Sequence, residues 1–117
     1  MNEEELKQYI DTEKALGRIR GNTKLFKMLL TTFLQSPYFE QLKKEIEAGD
    51  NEAAAKSAHA VKGVAANLSL MRVYELSQSL EACLKANSGV EESLETFKTA
   101  YEETVKAIDI VMKGLSA

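Results

Sequence analysis

The sequence has no tryptophan, one cysteine, one proline and one histidine. One cysteine cannot form a disulfide within the chain, and a structural zinc site needs about four Cys and His ligands, so we expect neither feature. Basic residues number 15 and acidic residues 18, so no positive field is present to hold a nucleic acid. No apolar run approaches the ~18 residues of a membrane helix, and the acidic start is unlike a signal peptide. We expect a soluble cytoplasmic protein without nucleic-acid or membrane partners.

Turn-forming residues are also scarce. The chain contains six glycines and one proline, while Ala, Leu, Glu and Lys are common, and this composition favours helix over strand. A length of 117 residues is enough to bury one core and too short for two. We therefore predict a single all-α domain over residues 1–117.

Apolar residues recur at helical spacing along most of the chain. They predict four long helices with approximate bounds 22–49, 50–68, 70–86 and 91–115. The first of these helices is interrupted at Pro37. A short helical N-terminal arm, residues 1–21, precedes them and carries Leu6 and Ile10 on one face. Because short loops between long helices favour antiparallel neighbours, residues 22–117 are predicted to form an antiparallel up-down four-helix bundle.

Gly63 falls in the middle of the second of these helices, where glycine costs ~1 kcal/mol relative to alanine. On a helical wheel, His59 and Gly63 both face away from the apolar seam, and Lys62 lies beside His59 on the surface. Ala55 and Ala66 lie on the same flank and leave the imidazole uncrowded. The single histidine is thus predicted to stand on an exposed strip with one cation in reach.

A neutral imidazole on such a strip has a free ring nitrogen that can attack an electrophile. A lone nucleophile on a convex helix can accept a group from the active site of another protein and pass it on. A phosphoryl group fits best, because the Lys62 ammonium would pair with its oxygens.

Two other functions are open at this point. In the first, the chain is a helical protein-interaction module in which His59 is an ordinary solvated side chain and the small-residue face docks a partner. The second is an enzyme that uses Cys83 as its nucleophile. The enzyme is disfavoured, because Cys83 falls on the apolar stripe of its helix and a buried thiol is normally inert.

The run SAHAVKGVAANLSL, from Ser57 to Leu70, resembles the signature of the histidine-containing phosphotransfer (HPt) domain, H-x-x-K-G followed by small residues and a hydrophobic turn. The resemblance extends over nearly the whole chain. It implies that His59 accepts a phosphoryl group, that Lys62 helps to neutralise its charge, and that Gly63 leaves room for it and for the docking partner.

The resemblance also implies the partners: the receiver domain of a response regulator, which would supply the aspartyl phosphate and a bound Mg²⁺, and a hybrid sensor kinase. The chain itself would be a phosphocarrier without autokinase activity and without a cofactor or metal of its own. We expect a monomer, free-standing since it begins at Met1. Candidate receiver contacts are Ala55 and Ala66, together with Leu6 and Ile10, although these two arm residues would equally serve to cover the core.

Two positions depart from the family pattern. Ser69 stands where many members have glycine at the turn after the motif, and Glu81 stands where some members have a glutamine that faces the histidine. Because a carboxylate near the histidine could repel a phosphate, Glu81 is left out of the predicted site.

Overall fold

The computed structural model describes residues 1–116, with side chains through Leu115. Over this range the chain is helical and contains no strand, which confirms the all-α prediction. None of these helices is both long enough and apolar enough to cross a membrane. The helices are α1 (Glu3–Tyr9), α2 (Thr12–Arg18), α3 (Thr23–Gln35), α4 (Tyr38–Glu47), α5 (Asn51–Leu68), α6 (Met71–Ala86) and α7 (Val90–Ser116).

The first predicted long helix is in fact two helices, α3 and α4. Ser36 has extended backbone angles, φ −82° and ψ 131°, because the ring of Pro37 disfavours a helical conformation in the residue before it. The chain therefore leaves α3 at Gln35 and restarts at Tyr38. Aromatic packing spans the break, since the ring centroids of Phe33 and Tyr38 are 5.4 Å apart.

The centre of the fold is formed by α5, α6 and α7, which pack in sequence order, with α4 against α5 and α3 against α7. The apolar seam of α5 consists mainly of small side chains, and it is buried in the core. Its alanines let α6 lie close to α5, while phenylalanines from α3 and α7 fill the wider spaces. The seam residues, all at most 3% exposed, are Ala54, Ala58, Val61, Ala65 and Leu68.

A two-residue link joins α5 to α6 and sets their register. Ser69 adopts the left-handed conformation, with φ 54° and ψ 42°, and the N–H of Leu70 donates to the carbonyl of Ala65 at 2.9 Å. This is the geometry of a helix C-cap, a position where glycine is most common. The chain reverses within this link, and α6 folds back along α5.

The N-terminal arm packs on the bundle through its apolar face. Its first helix contacts α6 and α7, and its second contacts α5 and α3. Ile10 is 2% exposed and Leu6 is half-buried against the core. The prediction of Ile10 as a receiver contact is therefore wrong, because a seven-residue helix has no stability of its own and uses this side chain to anchor itself.

Ser69, in the link between α5 and α6, holds the N-terminal arm against the bundle through hydrogen bonds. The guanidinium of Arg18 donates to the hydroxyl of Ser69 at 2.6 Å and to the carbonyl of Asn67 at 3.2 Å. The backbone N–H of Asp11 donates to the carbonyl of Ser69 at 3.0 Å. Ser69 thus joins the arm to the end of α5, a contact that a glycine could make only through its backbone.

Candidate functional site

His59 lies in the middle of α5 with its imidazole 67% exposed. Gly63, one turn further on, is also exposed, as the helical wheel predicts. No neighbouring group has a heavy atom within 4 Å of the position that a Cβ of residue 63 would take. Close packing inside the chain therefore does not explain this glycine, which is open to solvent one turn from the histidine.

The carboxylate of Glu81, on α6, is the centre of the site. Its Oε2 is 3.1 Å from His59 Nδ1, and its side chain is only 10% exposed. Lys62 Nζ lies 3.1 Å from Oε1, and Lys85 Nζ lies 3.1 Å from Oε2. The structure thus brings Glu81, which was left out of the predicted site, against His59, and the two lysines compensate the charge that was expected to repel a phosphate.

Opposing effects set the ionisation of Glu81. Burial by itself raises the pKa of this carboxyl, but hydrogen bonds from Lys85 and Lys62, together with their positive charges, lower the pKa from 4.5 to about 2. At neutral pH the group is therefore a carboxylate, which only accepts hydrogen bonds.

The ionised carboxylate determines the tautomer of His59. A bond between Nδ1 and an acceptor requires a proton on Nδ1, so we assign the Nδ1–H form to the neutral ring. The lone pair is then on Nε2, the nitrogen that is not engaged by Glu81. The arrangement presents an oriented nucleophile to solvent, in the way that a carboxylate orients the histidine ligands of metal sites.

Two helices supply these groups at fixed spacings. His59 and Lys62 are three residues apart on α5, and Glu81 and Lys85 are four residues apart on α6, so each pair shares a helix face. Lys85 was missed in the sequence. The Glu-to-Lys spacing on α6 was visible there, but only the register across the α5–α6 link shows that this pair faces His59.

A shallow cleft of about 630 Å³ adjoins the histidine between the first half of α5 and the second half of α6. Ala55 and Leu84 form its apolar floor, and they are 8% and 3% exposed. The other lining residues are polar or charged: Asn51, Glu52, Lys56, His59, Glu81 and Lys85.

The residues predicted to contact a partner do not all line this cleft. Ala55 lines the cleft, whereas Ala66 is half-buried further along α5 and Leu6 packs on the core. Cys83 is half-buried rather than fully buried. In residues 1–116 no group of three His, Cys, Asp or Glu side chains is placed to hold a metal ion.

These features define a class: an all-helical domain whose reactive group is one exposed histidine, oriented by a buried carboxylate and flanked by lysines. A protein-family model described as the Hpt domain matches residues 28–109, which include all of α5 and α6. The match covers more than two thirds of the chain, and the chain therefore belongs to the Hpt domain family.

Membership of this family indicates a general role in signalling. Hpt domains are phosphocarriers that transfer a phosphoryl group through a histidine in the phosphorelays of two-component signalling, in contact with receiver domains and kinases. Searches of curated proteins and of solved structures returned no match.

Proposed function

We propose that this chain accepts a phosphoryl group on His59 from the aspartyl phosphate of a response-regulator receiver domain and passes it to another receiver. The observation that supports this most strongly is the bond between His59 Nδ1 and the ionised carboxylate of Glu81. That bond holds the ring in one orientation with the Nε2 lone pair free, which is what a nucleophile for a docked phosphoryl group requires.

In the transfer step, the Nε2 lone pair attacks the phosphorus atom of the aspartyl phosphate. The N–P bond forms as the P–O bond to the aspartyl oxygen breaks, and the aspartate carboxylate leaves with the bonding electrons. Nδ1 keeps its proton, so the phosphorylated ring is cationic, and the adjacent carboxylate of Glu81 stabilises that charge. The reverse sequence at a second receiver returns the lone pair to Nε2.

The neighbouring residues have separate roles in this proposal. Lys62 offsets the charge of the phosphoryl oxygens. Its side chain is 24% exposed and is held beside His59 by its ion pair with Glu81. Gly63 keeps the space beside the ring open for the approaching receiver. Mg²⁺ is expected in the receiver, where it would neutralise the phosphoryl group during transfer.

The wider assignment is part of the same proposal. The arm, residues 1–21, and residues 22–117 form one domain, with the long helices running up and down in antiparallel order. Ala55 and Ala66 contact the receiver, and Leu6 covers the core. The protein is a cytoplasmic monomer, it receives its phosphoryl groups from a hybrid sensor kinase through a receiver domain, and it has no autokinase activity.

The test is transfer from a phosphorylated receiver domain to this protein. We expect an acid-labile label on the wild-type chain and none on His59→Gln, whose helix content and thermal unfolding midpoint should match those of the wild type because the side chain is exposed. Labelling of His59→Gln would contradict the proposal. Receiver binding without any transfer to the wild type would instead favour the interaction module.

A further inference from the structure

Glu81 contacts His59 at the ring nitrogen that does not react in the proposed transfer. Its Oε2 lies 3.1 Å from Nδ1, whereas the phosphoryl group would be carried on Nε2. A phosphoryl group on Nε2 therefore does not displace this contact. The carboxylate also lies beside the nitrogen whose proton governs the release of the phosphoryl group.

The Nδ1 proton determines the leaving group when the phosphoryl group is passed on. A carboxylate oxygen of the second receiver attacks phosphorus, the N–P bond breaks, and its electrons return to Nε2. With the proton on Nδ1, the ring departs as neutral imidazole. Without this proton the ring would depart as an imidazolate anion, which is a far stronger base and a much poorer leaving group.

The charge of Glu81 is well placed to keep this proton on the ring, because it is both close and partly shielded from water. Its side chain is 10% exposed, and although burial opposes ionisation, hydrogen bonds from Lys85 and Lys62 lower the pKa of the carboxyl to about 2. Glu103 on α7 provides a contrast. It pairs with Lys106 at 3.2 Å but is 36% exposed, so solvent screens its charge more.

The other charged groups of α5 and α6 near the ring do not cancel this effect. Lys62 and Lys85 bring two positive charges, and both are bound to Glu81. A phosphoryl group carries roughly −1.5 to −2, so its charge and that of Glu81 together outweigh the two lysines. Glu52 and Lys56, also on the cleft, pair with each other at 3.9 Å and are at least 80% exposed.

Charged residues of the other helices that pack on α5 bind away from the ring. Arg18 of α2 donates to Ser69, at the far end of α5. Glu45 of α4 accepts a hydrogen bond from Ser57 at 2.6 Å, and Ser57 lies about 200° around the helix from His59. The α3 side chains that share a groove with α5 are uncharged: Leu29, Thr32 and Phe33.

We propose that Glu81 keeps the proton on Nδ1 of phosphorylated His59, so that the ring departs as neutral imidazole and the phosphoryl group is released at neutral and mildly alkaline pH. Glu81 acts through the ring and is a positioning residue. The inference rests on the proposed function, which places the phosphoryl group on Nε2. The same proton also speeds hydrolysis, in which water attacks phosphorus, the electrons of the N–P bond return to Nε2, and both protons of the water leave with dihydrogen phosphate.

The experiment uses the isolated protein with nitrogen-labelled histidine, phosphorylated by the small phosphodonor phosphoramidate. Nitrogen NMR follows the loss of the Nδ1 proton as the pH is raised, and the hydrolysis rate is measured over the same range. We expect the midpoint of proton loss to lie about one pH unit lower in Glu81→Gln, because the opposite charge is removed. Above both midpoints the variant should hydrolyse about tenfold more slowly, and below them the difference should shrink. Glu81→Asp retains the charge and should lie closer to the wild type.

The matched control is Glu52→Gln, which removes an 87% exposed carboxylate from the same cleft, about two turns of α5 from His59, and should behave as the wild type. The wild-type chain unfolded in urea gives a second comparison, since the folded protein should hold the Nδ1 proton to a higher pH. Equal midpoints in the wild type and Glu81→Gln, or in the folded and unfolded chain, would overturn the role of Glu81 and leave the proposed function intact. A wild-type protein that takes no label on His59 would overturn both.

Discussion

At the scale of single residues, spacing within one helix was enough to find His59, Lys62 and Gly63, because positions three and four residues apart share a helix face. Glu81 could not be interpreted in the same way. Taken alone, its carboxylate suggested repulsion of a phosphate. The structure shows that it is compensated by two lysines, one from each helix, so its effect on the site depends on contacts that the linear sequence does not show.

The lowered pKa of Glu81 predicts a pH-dependent contribution to stability. Because the folded-state pKa is about 2 and the ordinary value is 4.5, the contribution is present above about pH 4.5 and is lost as pH falls toward 2. We expect the free energy of unfolding to drop over this range, and to drop less in Glu81→Gln, which has no carboxyl to titrate.

Denaturant unfolding at about pH 6 and about pH 3 measures this difference. A suitable control is Glu103→Gln, which removes the more exposed carboxylate of the Lys106 pair and should leave the wild-type pH dependence nearly unchanged. Equal losses of stability in the wild type and in Glu81→Gln would contradict the assigned role of the lysines.

At the scale of helices, the sequence predicted α5, α6 and α7 to within about a residue at each end, since apolar periodicity and turn residues are local signals. The break at Pro37 was visible for the same reason. The side-by-side register of α5 and α6 was not, because it depends on a two-residue link with Ser69 in a left-handed conformation and on the alanine seam that it brings against α6.

Gly63 tests the link between the stability of α5 and its function. Alanine at this exposed mid-helix position meets no neighbouring group, so Gly63→Ala should stabilise the protein by about 0.5–1 kcal/mol. The added methyl group lies one turn from His59, where the proposed function has the receiver approach, and on that proposal transfer should be slower. Thermal unfolding and the transfer rate give the two readings.

Gly17→Ala is the matched control, because Gly17 is also helical and also has open space around it, but lies in the arm. It should raise stability and leave the transfer rate at the wild-type value. Normal transfer by Gly63→Ala would show that the glycine has no part in access to the histidine.

At the scale of the whole molecule, the arm and the reactive face occupy different parts of the bundle. The arm is fastened to Ser69, ten residues along α5 from His59, which corresponds to about 15 Å of helix. The face with the cleft is formed by the first half of α5 and the second half of α6. The sequence does not show that the arm lies away from the reactive face. The apolar face of an amphipathic arm can cover the core or bind a partner, and only the position of the arm on the bundle distinguishes these roles.

The central claim is that the phosphoryl group passes between proteins through Nε2 of His59, and this atom can be observed directly. The protein, carrying nitrogen-labelled histidine, would be phosphorylated by a receiver domain and examined by nitrogen and phosphorus NMR. We predict an N–P bond at Nε2 of His59, with the proton retained on Nδ1 against Glu81. A phosphoryl group on Nδ1, or on any residue other than His59, would contradict the account.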